Sequence, residues 1–269
     1  MIRFCSLYSG SSGNCIFVGT ERTKLLVDAG VSGSRISGAL SEIRERPNDI
    51  QGILITHEHS DHIRGAGIYS RKYHVPIYAT AKTWQAMEQA VAPIQQKNRR
   101  MIPENGSGYV RGQFVIGDIS VVCYSIPHDA ADPVAYTFYA DQKKISVATD
   151  IGHMTEGIRS NLLGSDLALI ESNHDIEMLK YGSYPYYLKK RILSDVGHMS
   201  NDSAADIVTQ MALSGTKRFF LGHLSKENND PELALKTACS MLKERGLIVG
   251  RDLYMAVAAR EHYSEVITL

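Results

Sequence analysis

Four side chains that can bind a metal ion lie within six residues of the sequence, directly after an apolar run. The run Ile53-Leu-Ile-Thr leads into His57-Glu-His59-Ser-Asp61-His62. Residues 52–56 are aliphatic and β-branched, which is typical of a buried strand, and residues 62–70 indicate the first turns of a helix. The motif is therefore predicted to occupy a strand-to-helix turn, and the fold must be built around that turn.

The turn can direct His57 and His59 to one point, while Asp61 and His62 at the helix start face a second point nearby. Neutral imidazoles together with a carboxylate are ligands of zinc, manganese or iron. Because the motif contains no thiolate, a closed structural zinc site is disfavoured and an open coordination position is expected. The motif predicts a metal centre that can take part in a reaction.

The chain has 269 residues, of which 43% are hydrophobic, so it can bury a full core. No Pro/Gly/Ser-rich bridge, charge block or repeat divides it, and a single domain over residues 1–269 is predicted. Residues 93–108 have weak periodicity and are interpreted as a candidate lid. The 29 basic and 29 acidic side chains cancel, so local patches must supply any binding of nucleic acid.

The N-terminal residues lack a long apolar segment, and no run of about 18 apolar residues occurs. We therefore expect a cytoplasmic protein with no membrane partner. The four cysteines are widely spaced and lie in apolar neighbourhoods. They are predicted to be buried free thiols, with disulfides as the alternative.

Short strand patterns occur in both halves of the chain, with helical patterns between them. Residues 2–8, 14–19, 24–27 and 76–79 indicate strands in the first half, and residues 113–149 are dominated by β patterns. Strands and helices then alternate to the end. This order predicts an α/β fold in which two mixed β-sheets pack face to face beneath outer helices, a four-layer αββα sandwich.

A two-metal site needs more ligands than the four in the turn. Three further candidates, His128, Asp150 and His223, each stand where an apolar strand pattern ends. A lone residue at such a position is more often a hydrogen-bonded or capping residue. Strand ends nevertheless meet at one rim of a sheet, where ligands collect, so the joint occurrence favours metal binding.

In chain order, Val27-Asp28-Ala29-Gly30, Thr56 to His62, His128, Thr149-Asp150 and Gly222-His223 resemble the five motifs of the metallo-β-lactamase fold. The similarity covers nearly the whole chain. Within that superfamily, residues 6–14, 149–153, 171–175, 197–201 and 221–225 are similar to the YycJ (WalJ) group. The resemblance implies a bacterial cytoplasmic 5′-to-3′ exonuclease that acts on DNA.

The resemblance also implies roles for single residues. It assigns seven ligands to two divalent ions, Zn or Mn: His57, His59 and His128 for one, Asp61, His62 and His223 for the other, and Asp150 bridging both. Asp28 would be an outer partner whose carboxylate fixes the histidine loop through backbone N–H groups. The alternative for Asp28 is a turn-forming residue before Gly30.

His198 is not one of the seven implied ligands. Its surroundings resemble those of transfer-RNA 3′-processing nucleases, in which a histidine before the corresponding helix faces the scissile phosphate. The resemblance implies that His198 donates a proton to the leaving oxygen or stabilises the phosphorane. The alternative is a histidine that packs against its loop. Asp61 and His198 are the predicted catalytic residues, and the short interval from Asp150 to His223 leaves no room for the inserted domain of the β-CASP nucleases.

Candidate substrate contacts come from three short segments: residues 181–191, the run Lys97-Asn-Arg99-Arg100 in the candidate lid, and the loop at residues 9–13. Aromatic residues near Tyr184 can stack on unpaired bases, and the cations that follow can bind phosphates; the alternatives are a core edge and a solvated face. The loop at residues 9–13 can offer backbone N–H groups to a phosphate, or it is a plain hairpin turn. The candidates are Ser9, Ser11, Asn14, Asn173, Tyr184, Lys189, Lys190 and Arg191.

The predicted function is a two-metal phosphodiester hydrolase in which a metal-bridging hydroxide attacks the phosphodiester. The expected partner is DNA, a duplex with a free 5′ end, and this choice rests on the resemblance. One alternative is hydrolysis of a small ester, thioester, lactam or cyclic phosphodiester by the same site. Another is a non-catalytic regulator that binds nucleic acid and has a structural metal site.

Overall fold

Fourteen strands form two sheets of seven strands each. The computed structural model describes residues 1–269. In chain order the strands are β1 (Arg3–Tyr8), β2 (Cys15–Gly19), β3 (Lys24–Val27), β4 (Gly52–Leu54), β5 (Ile77–Ala79), β6 (Arg99–Met101), β7 (Gly112–Ile116), β8 (Ile119–Ser125), β9 (Val134–Ala140), β10 (Lys143–Ala148), β11 (Leu167–Glu171), β12 (Arg218–Gly222), β13 (Tyr254–Val257) and β14 (Ile267–Thr268).

The two sheets are both mixed. The first has the order β14-β1-β2-β3-β4-β5-β6, and the second has the order β13-β12-β11-β10-β9-β8-β7. In the first sheet the pairs from β14 to β3 are antiparallel and those from β3 to β6 are parallel. In the second, β7 to β10 pair antiparallel and β10 to β13 pair parallel.

The chain contains nine helices. They are α1 (Gly33–Glu42), α2 (Ser60–Ile63), α3 (Ala66–Tyr73), α4 (Ala81–Val91), α5 (Glu156–Leu162), α6 (Ile176–Tyr181), α7 (Tyr186–Ile192), α8 (Asn201–Leu213) and α9 (Pro231–Glu244). Capping side chains mark several helix starts; for example, Thr80 accepts a hydrogen bond from Thr83 N, and Asp230 accepts from Leu233 N. No helix is long and apolar enough to span a membrane.

Three apolar cores separate four layers. The central core lies between the two sheets and includes Phe4, Phe138 and Phe220. A second core joins the first sheet to its helices, as Trp84 of α4 illustrates, and a third joins the second sheet to its helices, as Val208 of α8 illustrates. Because alternate side chains of a strand point to opposite faces, each sheet is buried on both sides. The predicted αββα sandwich is confirmed.

One local prediction was wrong, and one strand was not predicted. The helix expected over residues 62–70 is divided into α2 and α3 at Gly65, where the chain passes too close to a neighbour for any side chain. A Cβ at Gly65 would lie 2.0 Å from the carbonyl oxygen of Val31. The weakly periodic segment 93–108 contains the edge strand β6, which pairs with β5, so this part of the segment is not a free loop. The lid role of the segment stays a prediction.

Candidate metal centre

Loops at the carboxyl ends of the central strands bring the candidate ligands together at one edge of the sandwich. The histidine motif follows β4, His128 follows β8, Asp150 follows β10 and His223 follows β12. Asp150 and His223 adopt left-handed backbone conformations, with φ of 61° and 56°, as does Asp28 with 59°. Non-glycine residues rarely occupy this region, and such strain gathers at functional sites. The chain turns sharply at these three strand ends.

Three histidines form the first group of donor atoms. His57, His59 and His128 each offer a ring nitrogen, and these atoms all lie within 4.8 Å of one another. His59 Nδ1 and His128 Nε2 are 3.4 Å apart. His57 and His59, which are close in the sequence motif, therefore lie beside His128, which comes from a different loop.

Asp61, His62 and His223 form the second group. Asp61 Oδ2 lies 3.5 Å from His62 Nε2 and 3.5 Å from His223 Nε2. Asp150 stands between the two groups: its carboxylate oxygens are 3.3 Å from His62 Nε2, 3.4 Å from His223 Nε2 and 3.9 Å from His128 Nε2. A single carboxylate therefore reaches donor atoms of both groups.

The donor atoms fit divalent cations. His57 Nε2, His223 Nε2 and Asp150 Oδ2 are buried and make no hydrogen bond. Buried polar atoms without a partner cost about 1–3 kcal/mol each, and coordination of a cation removes that cost. Imidazole and carboxylate donors suit zinc and manganese.

Outer hydrogen bonds hold the rings of four histidines by Nδ1. His62 Nδ1 donates to Asp28 Oδ2 at 2.8 Å, and His223 Nδ1 donates to Glu171 Oε1 at 3.0 Å. His128 Nδ1 donates to the carbonyl oxygen of Gly197 at 3.1 Å. His57 Nδ1 donates to Thr56 Oγ1 at 3.0 Å. Each bond leaves Nε2 without a proton in the neutral ring, and this is the form that binds a metal.

Asp28 is the centre of one such outer network. Its Oδ1 accepts from Thr56 N at 2.9 Å, and its Oδ2 accepts from Thr56 Oγ1 at 2.9 Å. The same carboxylate accepts from His62, and it is completely buried. Both the backbone at the start of the histidine turn and the orientation of His62 therefore depend on Asp28. The Asp28–Thr56 bonds have the geometry expected of an outer partner of the loop.

The electrostatics of the site are dominated by buried carboxylates and imidazoles. Burial, together with His62 and His128, holds the pKa of His57 well below its usual range, so this ring is neutral. Burial would also lower the pKa of His223, but Asp150, Asp61 and Glu171 outweigh burial and raise it to about 10. Burial would raise the pKa of Asp150, but His223 and His62 lower it. Ionised carboxylates are therefore concentrated where a cation would neutralise them.

Glu171 was not predicted as a site residue, but the structure places it beside the candidate ligands. Its completely buried carboxylate accepts four hydrogen bonds: from His198 Nδ1 at 2.8 Å, His223 Nδ1 at 3.0 Å, Ile151 N at 2.8 Å and Met199 N at 3.0 Å. Burial would raise the pKa of this carboxyl, but His198 and His223 hold it below its usual range. A Glu at the end of the apolar strand pattern 167–171 was the available signal, since Asp150 was identified by the same signal.

The donor atoms open onto a cavity of about 210 Å³. Its lining is Ser11, His59, Asp61, Asp150, Asn173, Tyr184, Leu188, Arg191, Ile192, His198, His223 and Ser225. A larger groove of about 730 Å³ lies beside Tyr109 and Thr155, but it contains no histidine and no group of metal-binding side chains. The smaller cavity is therefore the candidate site for chemistry. No residue of 93–108 lines it.

The eight predicted substrate contacts divide into three sets: four residues that line the cavity, two lysines that do not, and two buried residues. Ser11, Asn173, Tyr184 and Arg191 line the cavity. Lys190 is exposed, and Lys189 Nζ donates to the carbonyl oxygens of Lys180 at 2.8 Å and Gly182 at 2.7 Å.

Ser9 and Asn14 are buried and are bonded within the protein, which argues against the predicted substrate contact. Ser9 Oγ accepts from His223 N at 2.8 Å. Asn14 Oδ1 accepts from Gly10 N at 2.9 Å, and its amide contacts His62 Nε2 at 3.1 Å. The polar atoms of both side chains are used in these contacts. Both side chains therefore hold the loop and the ligand residues in place.

The architecture is shared with solved structures of the metallo-β-lactamase fold. One is the metallo-β-lactamase fold protein YhfI from Bacillus subtilis, with a TM-score of 0.73, 14% identity and coverage of 98% of this chain and 100% of that one. Another is Zn²⁺-bound PqqB from Methylobacterium extorquens, with a TM-score of 0.70, 16% identity and full coverage of both chains. These likenesses define the class of fold.

The chain belongs to the β-lactamase superfamily, since the model of the β-lactamase superfamily domain matches residues 23–224. It is 42% identical to exodeoxyribonuclease YycJ of Bacillus anthracis over 249 residues, which cover 93% of this chain and 92% of the relative. It is 43% identical to exodeoxyribonuclease WalJ of Streptococcus pneumoniae serotype 2 strain D39 over 252 residues, 93% and 91% of the two chains. The predicted family is confirmed, and the chain is a metal-dependent hydrolase.

Proposed function

We propose that this hydrolase is a two-metal phosphodiesterase that removes nucleotides from the 5′ end of DNA. The observation that carries the proposal is the pair of donor groups that share Asp150 and contain buried ring nitrogens without partners. The names of the relatives that are 42–43% identical over 93% of this chain support DNA as the substrate. The expected partner is a duplex with a free 5′ end.

Seven side chains would hold two divalent ions, manganese or zinc. One ion is assigned to His57, His59 and His128, the other to Asp61, His62 and His223, and Asp150 to both. When bound, such ions supply an activated water as nucleophile and neutralise charge on the phosphate. The protein orients these donor atoms by holding the opposite ring nitrogen of four of the histidines.

His198 is assigned to the leaving group. Its Nδ1 donates to Glu171 Oε1, so Nε2 is the ring atom left to face a substrate, and the side chain lines the cavity. As the P–O bond to the leaving nucleotide breaks, a proton passes from His198 Nε2 to the departing oxygen. The Glu171 carboxylate keeps the ring oriented and stabilises its positive charge before the transfer.

Arg191 and Asp61 complete the assignment. The Arg191 guanidinium lines the cavity and is half-exposed, so it can bind a phosphate oxygen that enters the cavity. Its present partner is Asp129, with which it forms an ion pair. Asp61 is a partly exposed carboxylate at the cavity wall, beside His62 and His223, where it orients the reacting groups.

The test is hydrolysis of duplex DNA labelled at either the 5′ or the 3′ end. The protein is stripped of metal, reloaded with manganese or zinc, and compared with Asp150→Ala. Asp206→Ala, which alters an exposed residue of α8, is the matched control. We expect early release of the 5′ label as mononucleotide by the wild type and the control, and loss of turnover in Asp150→Ala.

Other outcomes would favour the alternative functions. Hydrolysis of a small ester or cyclic phosphodiester without DNA turnover would identify a small-molecule hydrolase. DNA binding without turnover of any substrate would favour a regulator with a structural metal site. Early release of the 3′ label would reverse the proposed polarity.

A further inference from the structure

The three most exposed large apolar side chains of the protein belong to one short segment. The exposed fractions are 84% for Tyr181, 81% for Tyr186 and 74% for Tyr187. Other tyrosines, such as Tyr69 and Tyr124, are completely buried. These three rings therefore do no packing in the core. We call them the tyrosine platform.

The platform adjoins the rim of the metal-site cavity. Tyr184, Leu188 and Arg191 of the same segment line that cavity. Residues three and four apart share one face of a helix, and Tyr187 is four residues before Arg191 in α7. Tyr187 consequently lies one helical turn from a guanidinium that lines the cavity.

Tyr181 is tied to the same surface by the side chain of Lys189. Lys189 Nζ donates to the carbonyl oxygens of Lys180 and Gly182, the two neighbours of Tyr181 in the chain. The end of α6 is thereby fixed against α7. The three rings therefore belong to one connected part of the structure, the end of α6 and the start of α7.

The segment also carries a local excess of positive charge. Residues 176–192 contain four basic side chains, Lys180, Lys189, Lys190 and Arg191, and one acidic one, Glu177. Lys180 pairs with Glu177 and Arg191 pairs with Asp129, so Lys189 and Lys190 carry the charge that no acidic side chain balances. Lys190 is exposed and stands four residues after Tyr186, on the same helix face. An aromatic ring beside a cation matches the alternation of base and phosphate in a single strand.

We infer that the tyrosine platform binds the unpaired end of a DNA strand by stacking on its bases and so guides that strand into the metal-site cavity. The inference rests on the proposed function and specifies its substrate. The cavity that contains the candidate metal ligands lies beside the platform, since Tyr184, Leu188 and Arg191 of the same segment line it. Stacking needs an exposed base face, so the platform holds unpaired bases and not paired ones.

The test uses the double variant Tyr186→Ala/Tyr187→Ala and the matched variant Tyr186→Phe/Tyr187→Phe, which keeps the rings. Binding of a fluorescent single-stranded oligodeoxynucleotide is measured by anisotropy in the Asp150→Ala background, so that strand cleavage does not interfere. Hydrolysis is measured in the metal-loaded active protein, on a blunt duplex and on a duplex with an unpaired 5′ tail of about six nucleotides, within the range that single-strand binding sites cover. Both tyrosines are exposed, so folding should be unaffected.

We expect the alanine pair to weaken oligonucleotide binding by about tenfold or more, the effect of losing stacking on one or two bases. KM for the tailed duplex should rise by a similar factor with kcat unchanged, and the phenylalanine pair should match the wild type. Equal binding by the alanine pair and the wild type would overturn the inference. A loss of self-association in the alanine pair without any loss of DNA binding would also overturn the inference. That result would mean that the tyrosine platform binds a second copy of the chain.

The experiments distinguish a failure of the proposed exonuclease activity from a failure of the proposed DNA binding by the tyrosine platform. If the wild type hydrolyses no DNA but the alanine pair loses oligonucleotide binding, the proposed exonuclease activity fails and the platform remains. If the wild type degrades DNA from its 5′ end and the alanine pair has the same KM on the tailed duplex, the platform fails and the exonuclease remains.

Discussion

Replacement of Glu171 by Gln tests whether one buried carboxylate sets the metal-binding form of His223. The carboxylate accepts four hydrogen bonds, two from backbone N–H groups and two from imidazoles. A glutamine side chain of the same shape has a single oxygen, so its NH₂ group must face one of these two pairs of donors.

The two orientations of the amide differ in cost. With the NH₂ group against Ile151 N and Met199 N, two backbone donors lose their acceptors, which costs about 2–6 kcal/mol at about 1–3 kcal/mol each. With the NH₂ group against the histidines, each ring can move its proton from Nδ1 to Nε2 and accept from the amide. The second orientation is cheaper, so we expect it in the variant.

With the NH₂ group against the histidines, the proton of His223 moves to Nε2, the atom that faces the other ligands. We expect Glu171→Gln to fold but to bind manganese about 10–100-fold more weakly, the usual effect of losing an outer partner, or about 1.4–2.8 kcal/mol. Calorimetric titration of the metal-free protein measures the affinity, and urea unfolding measures the stability. Glu244→Gln, at an exposed position of α9, is the matched control. Unchanged manganese affinity in Glu171→Gln would refute the reasoning.

Three further outcomes are expected. Asp28→Asn should weaken metal binding about 10–100-fold in calorimetric titration, because an amide cannot accept from both Thr56 and His62 as the carboxylate does; wild-type affinity would contradict this. Removal of metal by a chelator should lower Tm by about 5–10 °C relative to protein at a metal concentration about 100 times Kd, and remetallation should restore it; an unchanged Tm would show that the donor atoms bind no ion. Cys239, which is partly exposed, should react first with a thiol reagent in the native state, since burial raises the pKa of Cys5 to about 11 and of Cys123 to about 12; mass spectrometry of the labelled peptides measures the order.

The sequence was most informative where one local pattern carries both structure and chemistry. An apolar strand that ends in His or Asp specifies a position at the sheet edge, and this pattern, together with the histidine motif, made Asp150 and His223 candidate ligands. The structure brings their donor atoms to 3.4 Å from each other. Strand β6 was missed for the opposite reason: Arg99-Arg100-Met101 is an exposed edge strand with no apolar alternation to reveal it.

Other features depend on contacts between residues that are distant in the chain. At the break between α2 and α3, Gly65 N donates to the carbonyl oxygen of Ala29 and not to that of Asp61, which accepts from Asn14 N. Likewise, the Glu171 carboxylate accepts hydrogen bonds from His198 and Ile151, which lie on other loops. Sequence patterns specify which residues stand at strand ends, but they do not specify which of those residues will share a hydrogen bond.

Ser9 and Asn173 help to fix the conformation of His223. His223 has a left-handed backbone conformation with φ of 56°, which costs about 1–3 kcal/mol for a residue other than glycine unless its surroundings fix it. Ser9 Oγ accepts from His223 N at 2.8 Å, Asn173 Nδ2 donates to His223 O at 2.9 Å, and Glu171 accepts from the ring. The backbone donor, the backbone acceptor and the ring of His223 are all held, so its Nε2 cannot turn away from Asp61 and Asp150. The Ser-Gly loop therefore bears on the metal centre through the position of His223, and the phosphate of a substrate need not touch Ser9 for that residue to matter.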